Sequence, residues 1–194
     1  MSRAHAGDRM TAFPGPGPVP RSREVALRSM LDQLIGIPLT SVKYSNFTDG
    51  SHPTSWDDRL PGIDPVDLAV AIRFGSRWLR VDWATDGITA GLAVMVLDEV
   101  DFGSWSTTDA SDSSVWQACL GQNLIGYSLA WFVAETEARE ALLRLRLEVG
   151  QQRITIVLSA LRESGLRYLP DELCLVADRD LADAAVQAAG GYWA

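Results

Sequence analysis

The sequence is poor in the residues that catalysis and metal binding commonly use. It contains two histidines and two cysteines, and Cys119 and Cys174 stand too far apart for a metal or redox motif. It has no nucleophile elbow, P-loop, HExxH or EF-hand pattern. No sequence motif therefore supports an enzymatic function, and no cofactor is expected.

Long apolar runs are also missing. The longest run, Ile88 to Leu97, is broken by Thr89 and Gly91 and is too short to span a bilayer. The first 30 residues lack the apolar core of a signal peptide. These absences predict a cytoplasmic protein without membrane contact. Both cysteines stand among apolar residues in the sequence, which predicts buried free thiols.

Lysine is nearly absent, since Lys43 is the one lysine among 17 basic residues. The formal net charge is −8, and an acidic body repels the phosphates of nucleic acid. Such a charge favours a basic protein partner, although it also serves solubility. The richness in arginine and alanine is typical of GC-rich coding, and we expect a bacterial source.

Proline and glycine are concentrated near the start, in FPGPGPVP at 13–20. This stretch suits neither a helix nor a strand ladder, so residues 1–22 are expected to be a disordered tail. A docking segment for a proline-binding domain is the alternative. Residues 23–194 are predicted to form a single domain.

Two stretches have the alternating pattern of a β-hairpin. The first is 66–84, with its turn at Gly75-Ser76, and the second is 141–158, with its turn at Gly150. Alternation predicts one dry and one wet face for each hairpin. The side chains expected on the wet faces are Arg73, Arg77, Arg80 and Asp82 in the first hairpin, and Arg144, Arg146, Glu148 and Arg153 in the second.

The surroundings of the two hairpins are similar, which indicates half-repeats over about 23–100 and 113–180. We predict an α+β fold, mainly antiparallel β, in which two similar helix-strand-hairpin-strand halves pack into one pseudo-symmetric body. Two unrelated amphipathic hairpins are the alternative. The predicted helices are one capped by Ser22 and reaching Ile35, a short one over 115–120, and a last one over 181–189.

Two long polar loops, 48–65 and 101–114, each carry a tryptophan among acidic residues. If the loops come together, the tryptophans ringed by carboxylates would anchor a basic protein surface. If they do not, each tryptophan is expected to cover the core of its own half. The candidate binding residues are Trp56, Asp57, Asp58, Trp105, Asp109 and Asp112.

His52 offers a different interpretation of the first loop. Together with Asp49 and Asp57 it could bind a divalent metal or act as an acid–base pair. The spacing matches no known metal motif, and Pro53 is typical of a plain turn. Metal is therefore not expected, and this site remains an alternative.

The function expected from charge and absent motifs is a non-catalytic, acidic protein-binding module. An immunity-type protein that neutralises a basic toxin or effector fits that description. The first alternative is a small enzyme, or a small-molecule or metal-binding protein, that uses Asp49, His52 and Asp57. The second is a structural subunit of a larger assembly.

Overall fold

The computed structural model describes residues 17–46, 62–87, 89–103, 105–134, 139–162, 165–167 and 172–177. These ranges contain one α-helix, two 3-10 turns at 21–23 and 117–119, and a set of antiparallel strands. The elements are α1 (Glu24–Asp32), β1 (Leu39–Asn46), β2 (Ile63–Val66), β3 (Ala69–Phe74), β4 (Arg77–Asp86), β5 (Thr89–Leu97), β6 (Ser106–Asp109), β7 (Leu124–Ala134), β8 (Arg139–Val149), β9 (Gln152–Leu158), β10 (Ala160–Arg162), β11 (Gly165–Arg167) and β12 (Leu173–Val176).

Most strands belong to two five-stranded sheets. Sheet 1 has the order β5-β4-β3-β1-β6, and sheet 2 has the order β2-β12-β9-β8-β7. β10 and β11 form a separate two-stranded ribbon. The prediction of an α+β, mainly antiparallel protein is confirmed.

Both predicted hairpins are present. β3 pairs with β4 around Gly75, and β8 pairs with β9 around Gly150. The two glycines have φ of 58° and 56°, a region that L side chains rarely adopt. Glycine at these turns therefore fixes where each hairpin reverses.

One hydrophobic core contains residues from both sheets and from α1, so the sheets pack face to face. A second, smaller cluster lies on the outer face of sheet 1. Its buried members are Leu68, Ala69, Ala71, Trp78 and Phe102.

The small cluster corrects the prediction of a wet outer face on the first hairpin. Arg80 and Asp82 are only 7% and 2% exposed. The chain after β5 covers them, and Arg80 Nη1 donates to the carbonyl of Asp101 at 2.7 Å. The alternating pattern therefore correctly predicted which side chains share a face, but the prediction that Arg80 and Asp82 are exposed to solvent was wrong.

The two predicted loops contain strands. Ile63–Val66, assigned to the loop 48–65, is β2 at the edge of sheet 2 and pairs with β12. Ser106–Asp109, assigned to the loop 101–114, is β6 at the edge of sheet 1 and pairs with β1. Both are four-residue edge strands without apolar alternation, which is why the sequence pattern did not indicate them.

The helix predictions also need correction. α1 begins at Glu24 without a side-chain cap from Ser22 and ends at Asp32, and turns occupy 33–36. The predicted short helix over 115–120 is a 3-10 turn at Gln117–Cys119. The predicted last helix lies outside the described residues.

Residues 17–22, placed in the tail by the sequence, contact both sheets. The Val19 N–H donates to the Leu92 carbonyl of β5 at 3.0 Å, and the Val19 carbonyl accepts from the Leu142 N–H of β8 at 3.0 Å. Val19 is 9% exposed. Residues 17–20, here called the strap, therefore join an edge of sheet 1 to sheet 2. Residues 1–16 lie outside the described part of the chain.

Candidate functional site

The chain between β5 and β6 crosses the outer face of sheet 1, because these two strands form opposite edges of that sheet. We call residues 98–112, which include β6, the acidic crossover. Its acidic side chains are all exposed. They are Asp98, Glu99, Asp101, Asp109 and Asp112.

Cations of sheet 1 offset part of this charge. Arg77 Nε lies 3.2 Å from Asp98 Oδ1, and Lys43 lies directly opposite Asp109 in the strand pairing. Glu99 and Asp112 form no ion pair within the described part of the chain. The crossover therefore keeps a net negative surface that a basic partner can meet.

Asp109 and Asp112 lie on a tight turn at the end of β6. The Ser111 N–H donates to Asp109 Oδ1 at 2.9 Å, and the Val42 N–H donates to Ser111 Oγ at 3.0 Å. The hydrogen bonds from Ser111 lower the pKa of the Asp109 carboxyl. The turn is thus fixed to β1, and Asp109 stays ionised at neutral pH.

Trp105 precedes β6 and is half-buried. Its ring packs against the small outer cluster, and its backbone N–H donates to the Phe102 carbonyl at 3.3 Å. Trp105 therefore contributes to the cover over Arg80 and Asp82.

The described residues that flank the segment 47–61 lie near the crossover. Asn46 pairs with Ser106 of the crossover, and the Gly62 N–H donates to Ser114 Oγ, two residues after the crossover, at 2.9 Å. Trp56, Asp57, Asp58, Asp49 and His52 belong to this segment and lie outside the described residues.

Behind the crossover lies a buried polar network that the sequence did not indicate. Tyr44 Oη donates to Asp64 Oδ2 at 2.5 Å, and Trp116 Nε1 donates to Tyr44 Oη at 2.6 Å. Asp64 Oδ1 is buried without a hydrogen-bond partner. Burial, more than any other cause, raises the pKa of both Asp64 and Tyr44. The only signal in the sequence was an aspartate between apolar residues, in Ile63–Val66.

The cysteines are free and buried, as predicted. Burial raises the pKa of the Cys119 thiol to about 11, and burial together with nearby carboxylates raises that of Cys174 to about 12. Thiols with such pKa values are poor nucleophiles at neutral pH. Among the described residues no three His, Cys, Asp or Glu side chains form a metal-binding group. In the same part of the chain no helix is long and apolar enough to cross a membrane.

Two cavities flank the strap. One of about 370 Å³ lies between the strap, α1 and Val94, and the other, of about 310 Å³, lies between the strap, Thr89 and Glu140. The polar residues that line the first cavity are Arg23 and Asp86, and those that line the second are Ser22, Asp86, Thr89 and Glu140.

Compared with protein-family models, curated proteins and solved structures, the chain matches none at a significant level.

Proposed function

We propose that this chain is a non-catalytic binding protein that captures a basic protein through the acidic crossover and the adjoining segment 47–61. An immunity-type neutraliser of a basic toxin or effector is the functional class that fits best. The observation that carries the proposal is the position of the segment's two ends. Asn46 pairs with Ser106 of the crossover, and the Gly62 N–H bonds to Ser114, two residues after the crossover, so both ends of an acidic, tryptophan-bearing segment are anchored near the acidic crossover.

The charges support a partner of opposite sign. The crossover exposes five carboxylates, and the segment 47–61 adds Asp49, Asp57 and Asp58 against Arg59. Negative charge concentrated on one surface accelerates encounter with a positive partner and disfavours acidic ones. Tryptophan is enriched at the energetic centres of protein interfaces, so Trp105 and Trp56 are the proposed anchors.

The rigidity of the crossover also supports the proposal. β6 is paired to β1, the turn after it is bonded to Val42, and Trp116 behind it is fully buried. A surface already held in place loses little conformational freedom on binding. The short strand β6 therefore gives the acidic side chains a fixed frame.

Site-specific photo-crosslinking in the native host tests this function. A photoreactive phenylalanine analogue replaces Thr107, an exposed residue of β6, in the full-length chain. The matched control places the same analogue at Arg153, an exposed strand residue of sheet 2. We expect a covalent adduct with a basic protein from position 107 and none from position 153.

The proposal is overturned if position 107 gives no protein adduct. It is also overturned if the two positions give the same adducts, or if the protein captured at position 107 is acidic.

We also propose that the two halves are structural repeats. The orders β5-β4-β3-β1 and β12-β9-β8-β7 correspond strand for strand. Each first strand has a bulge near its start, at Leu39/Ser41 and at Leu124/Gly126. Each is preceded by a glycine with positive φ, Gly36 at 81° and Gly121 at 75°. These likenesses support a duplication, with β6 and β2 as additions at the sheet edges.

A further inference from the structure

Two positively charged side chains on the outer face of sheet 1 stack on one tryptophan. Lys43 Nζ lies 5.4 Å from the centroid of the Trp78 ring, and the guanidinium carbon of Arg73 lies 5.6 Å from it. The face of a tryptophan ring attracts cations, because its π-electrons make that face negative. Trp78 is only 8% exposed, whereas Arg73 is exposed and Lys43 is half-buried. These three residues, here called the cationic cluster, therefore gather two charged groups around one buried ring.

Strand pairing places the cationic cluster between the two ends of the acidic crossover. Trp78 pairs with Arg73 of β3 and with the last residue of β5, which directly precedes Asp98. Lys43 of β1 pairs with Asp109 of β6. Residues that lie opposite each other in neighbouring strands share one face of the sheet. The cluster therefore lies on the same face as the crossover, with Asp98 on one side and Asp109 on the other.

The charges of the cluster are used differently from the other cations of the sheet 1 strands. Arg77 and Arg80 are each paired with a carboxylate. Within the part of the chain that the structure describes, the side chains of Lys43 and Arg73 contact the Trp78 ring and form no ion pair. An ammonium group has three N–H donors and a guanidinium group has five. Both side chains therefore keep donors for an acceptor that another molecule supplies.

From this arrangement we infer that the cationic cluster binds an aspartate or glutamate side chain of the protein partner. The inference rests on the proposed function and adds the chemistry that the partner presents at the centre of the contact. A carboxylate accepts charge-assisted hydrogen bonds from ammonium and guanidinium groups, and these are stronger than neutral ones. The partner surface then has one acidic residue flanked by basic residues, which meet the two ends of the acidic crossover.

The acidic residues on both sides of the cluster select a single negative charge. A nucleic acid brings several phosphates close to Asp98 and Asp109, and the repulsion disfavours it. An acidic side chain within a basic surface instead brings positive neighbours to those two carboxylates. The alternation of sign also fixes the register of the contact, because a shifted partner places like charges opposite each other.

The tryptophan prepares both cations for this contact. Long charged side chains lose conformational entropy when an interface immobilises them. The ring already restricts Lys43 and Arg73, and Trp78 is itself held in the small outer cluster of sheet 1. Less entropy is therefore lost when a carboxylate binds here than at a freely moving lysine or arginine.

Isothermal titration calorimetry with the basic protein captured at position 107 tests the inference through the sign of an effect. Arg73→Gln and Lys43→Gln each remove one positive charge from the cluster, and Arg23→Gln removes the same charge from an exposed position in the 3-10 turn at 21–23. Net charge alone predicts that all three variants bind a basic partner at least as tightly as the wild type. We expect the opposite for the cluster, with dissociation constants about fivefold higher or more for Arg73→Gln and Lys43→Gln. The constant of Arg23→Gln is expected to stay equal or to fall.

A scan of the partner identifies the carboxylate that the cluster binds. Each aspartate and glutamate of the captured protein is replaced in turn by asparagine or glutamine. One replacement is expected to weaken binding to the wild type about fivefold, and to leave binding to the double variant of Lys43→Gln with Arg73→Gln unchanged, because the interaction is already lost there.

The inference alone is overturned if the captured basic protein binds Arg73→Gln and Lys43→Gln as tightly as it binds Arg23→Gln. It is also overturned if no replacement in the partner shows the expected coupling to the cluster. Capture of no protein, or of an acidic protein, at position 107 overturns the proposed function, and the inference is overturned with it.

Discussion

Tyr44 donates a 2.5 Å hydrogen bond to Asp64, and this bond joins the two sheets. Tyr44 belongs to β1 of sheet 1, and Asp64 belongs to β2 at the edge of sheet 2. Trp116, from the segment that follows the crossover, donates to the same hydroxyl. Three elements that are distant in sequence therefore meet at one buried hydroxyl, directly behind the candidate binding surface.

Replacing Tyr44 by phenylalanine removes this hydroxyl. Asp64 Oδ2 and Trp116 Nε1 both lose a partner inside the core, and each buried unsatisfied group costs roughly 1–3 kcal/mol. We expect the free energy of unfolding, measured by urea denaturation, to fall by about 2–4 kcal/mol. Tyr127→Phe removes a hydroxyl that bonds at the surface and is expected to cost less than about 1 kcal/mol. Equal losses in the two variants would refute the importance of the buried network.

Asp64→Asn tests the charge at the same place. Burial raises the pKa of Asp64 in the folded protein, so the folded state holds this proton more tightly than the unfolded state. The stability that this protonation provides is complete below the unfolded pKa, near 3.9, and is lost as pH rises through the folded pKa. The wild type should therefore lose unfolding free energy relative to Asp64→Asn as pH rises from about 4 to 7. A constant difference between the two proteins, or a difference of opposite slope, would show that Asp64 titrates normally.

The buried ion pair beneath the crossover provides a third test. Arg80 Nε donates to both Asp82 carboxylate oxygens, at 2.9 and 3.1 Å. Burial raises the pKa of Asp82, and Arg80 opposes that shift. Arg80→Met leaves a buried carboxylate without its cation and is expected to cost about 3–5 kcal/mol of unfolding free energy.

The double variant Arg80→Met with Asp82→Leu is the control for that change. It removes both charges, so it is expected to be more stable than Arg80→Met alone. A double variant that unfolds more easily than the single one would mean that lost packing, not the stranded charge, explains the effect.

The strap can be tested at Gly91. A Cβ added there would meet Pro18 Cβ at 2.8 Å and Ala141 Cβ at 2.9 Å, and neither atom can swing away. We expect Gly91→Ala to lower the free energy of unfolding by about 1–3 kcal/mol through this overpacking. Gly126→Ala, also within a strand, meets only the flexible end of Glu148 and is expected to change stability by less than about 0.5 kcal/mol. Thermal unfolding of the two variants tests this prediction. If Gly91→Ala does not lower the stability, the strap is not closely packed.

The hairpins could be predicted from the sequence because their signals are local. Alternating apolar residues on either side of Gly75 and Gly150 specify pairing, turn and register within about 20 residues. The same alternation placed Arg80 and Asp82 together on one face. It could not reveal that this face is covered, because the cover comes from Phe102 and Trp105, beyond the next strand.

The edge strands could not be predicted for a related reason. β2 pairs with a strand more than 100 residues later, and its Pro65 is a signal against strand structure. The candidate site was predicted only as two acidic loops, and the sequence left open whether they meet. Local patterns cannot decide this, because the ends of the first loop are positioned by Asn46, which pairs with β6, and by Gly62, which bonds to Ser114, and the pattern indicates neither contact.

The central claim is that a basic partner binds at the acidic crossover. Isothermal titration calorimetry with the partner captured at position 107, over a series of salt concentrations, tests it most directly. Asp112→Lys reverses a charge on the crossover, and Glu148→Lys makes the same change on sheet 2. We expect affinity to fall as salt rises and Asp112→Lys to weaken binding about tenfold or more, while Glu148→Lys stays within about twofold of the wild type. Binding that is insensitive to salt, or equally weakened by the two reversals, would contradict the account.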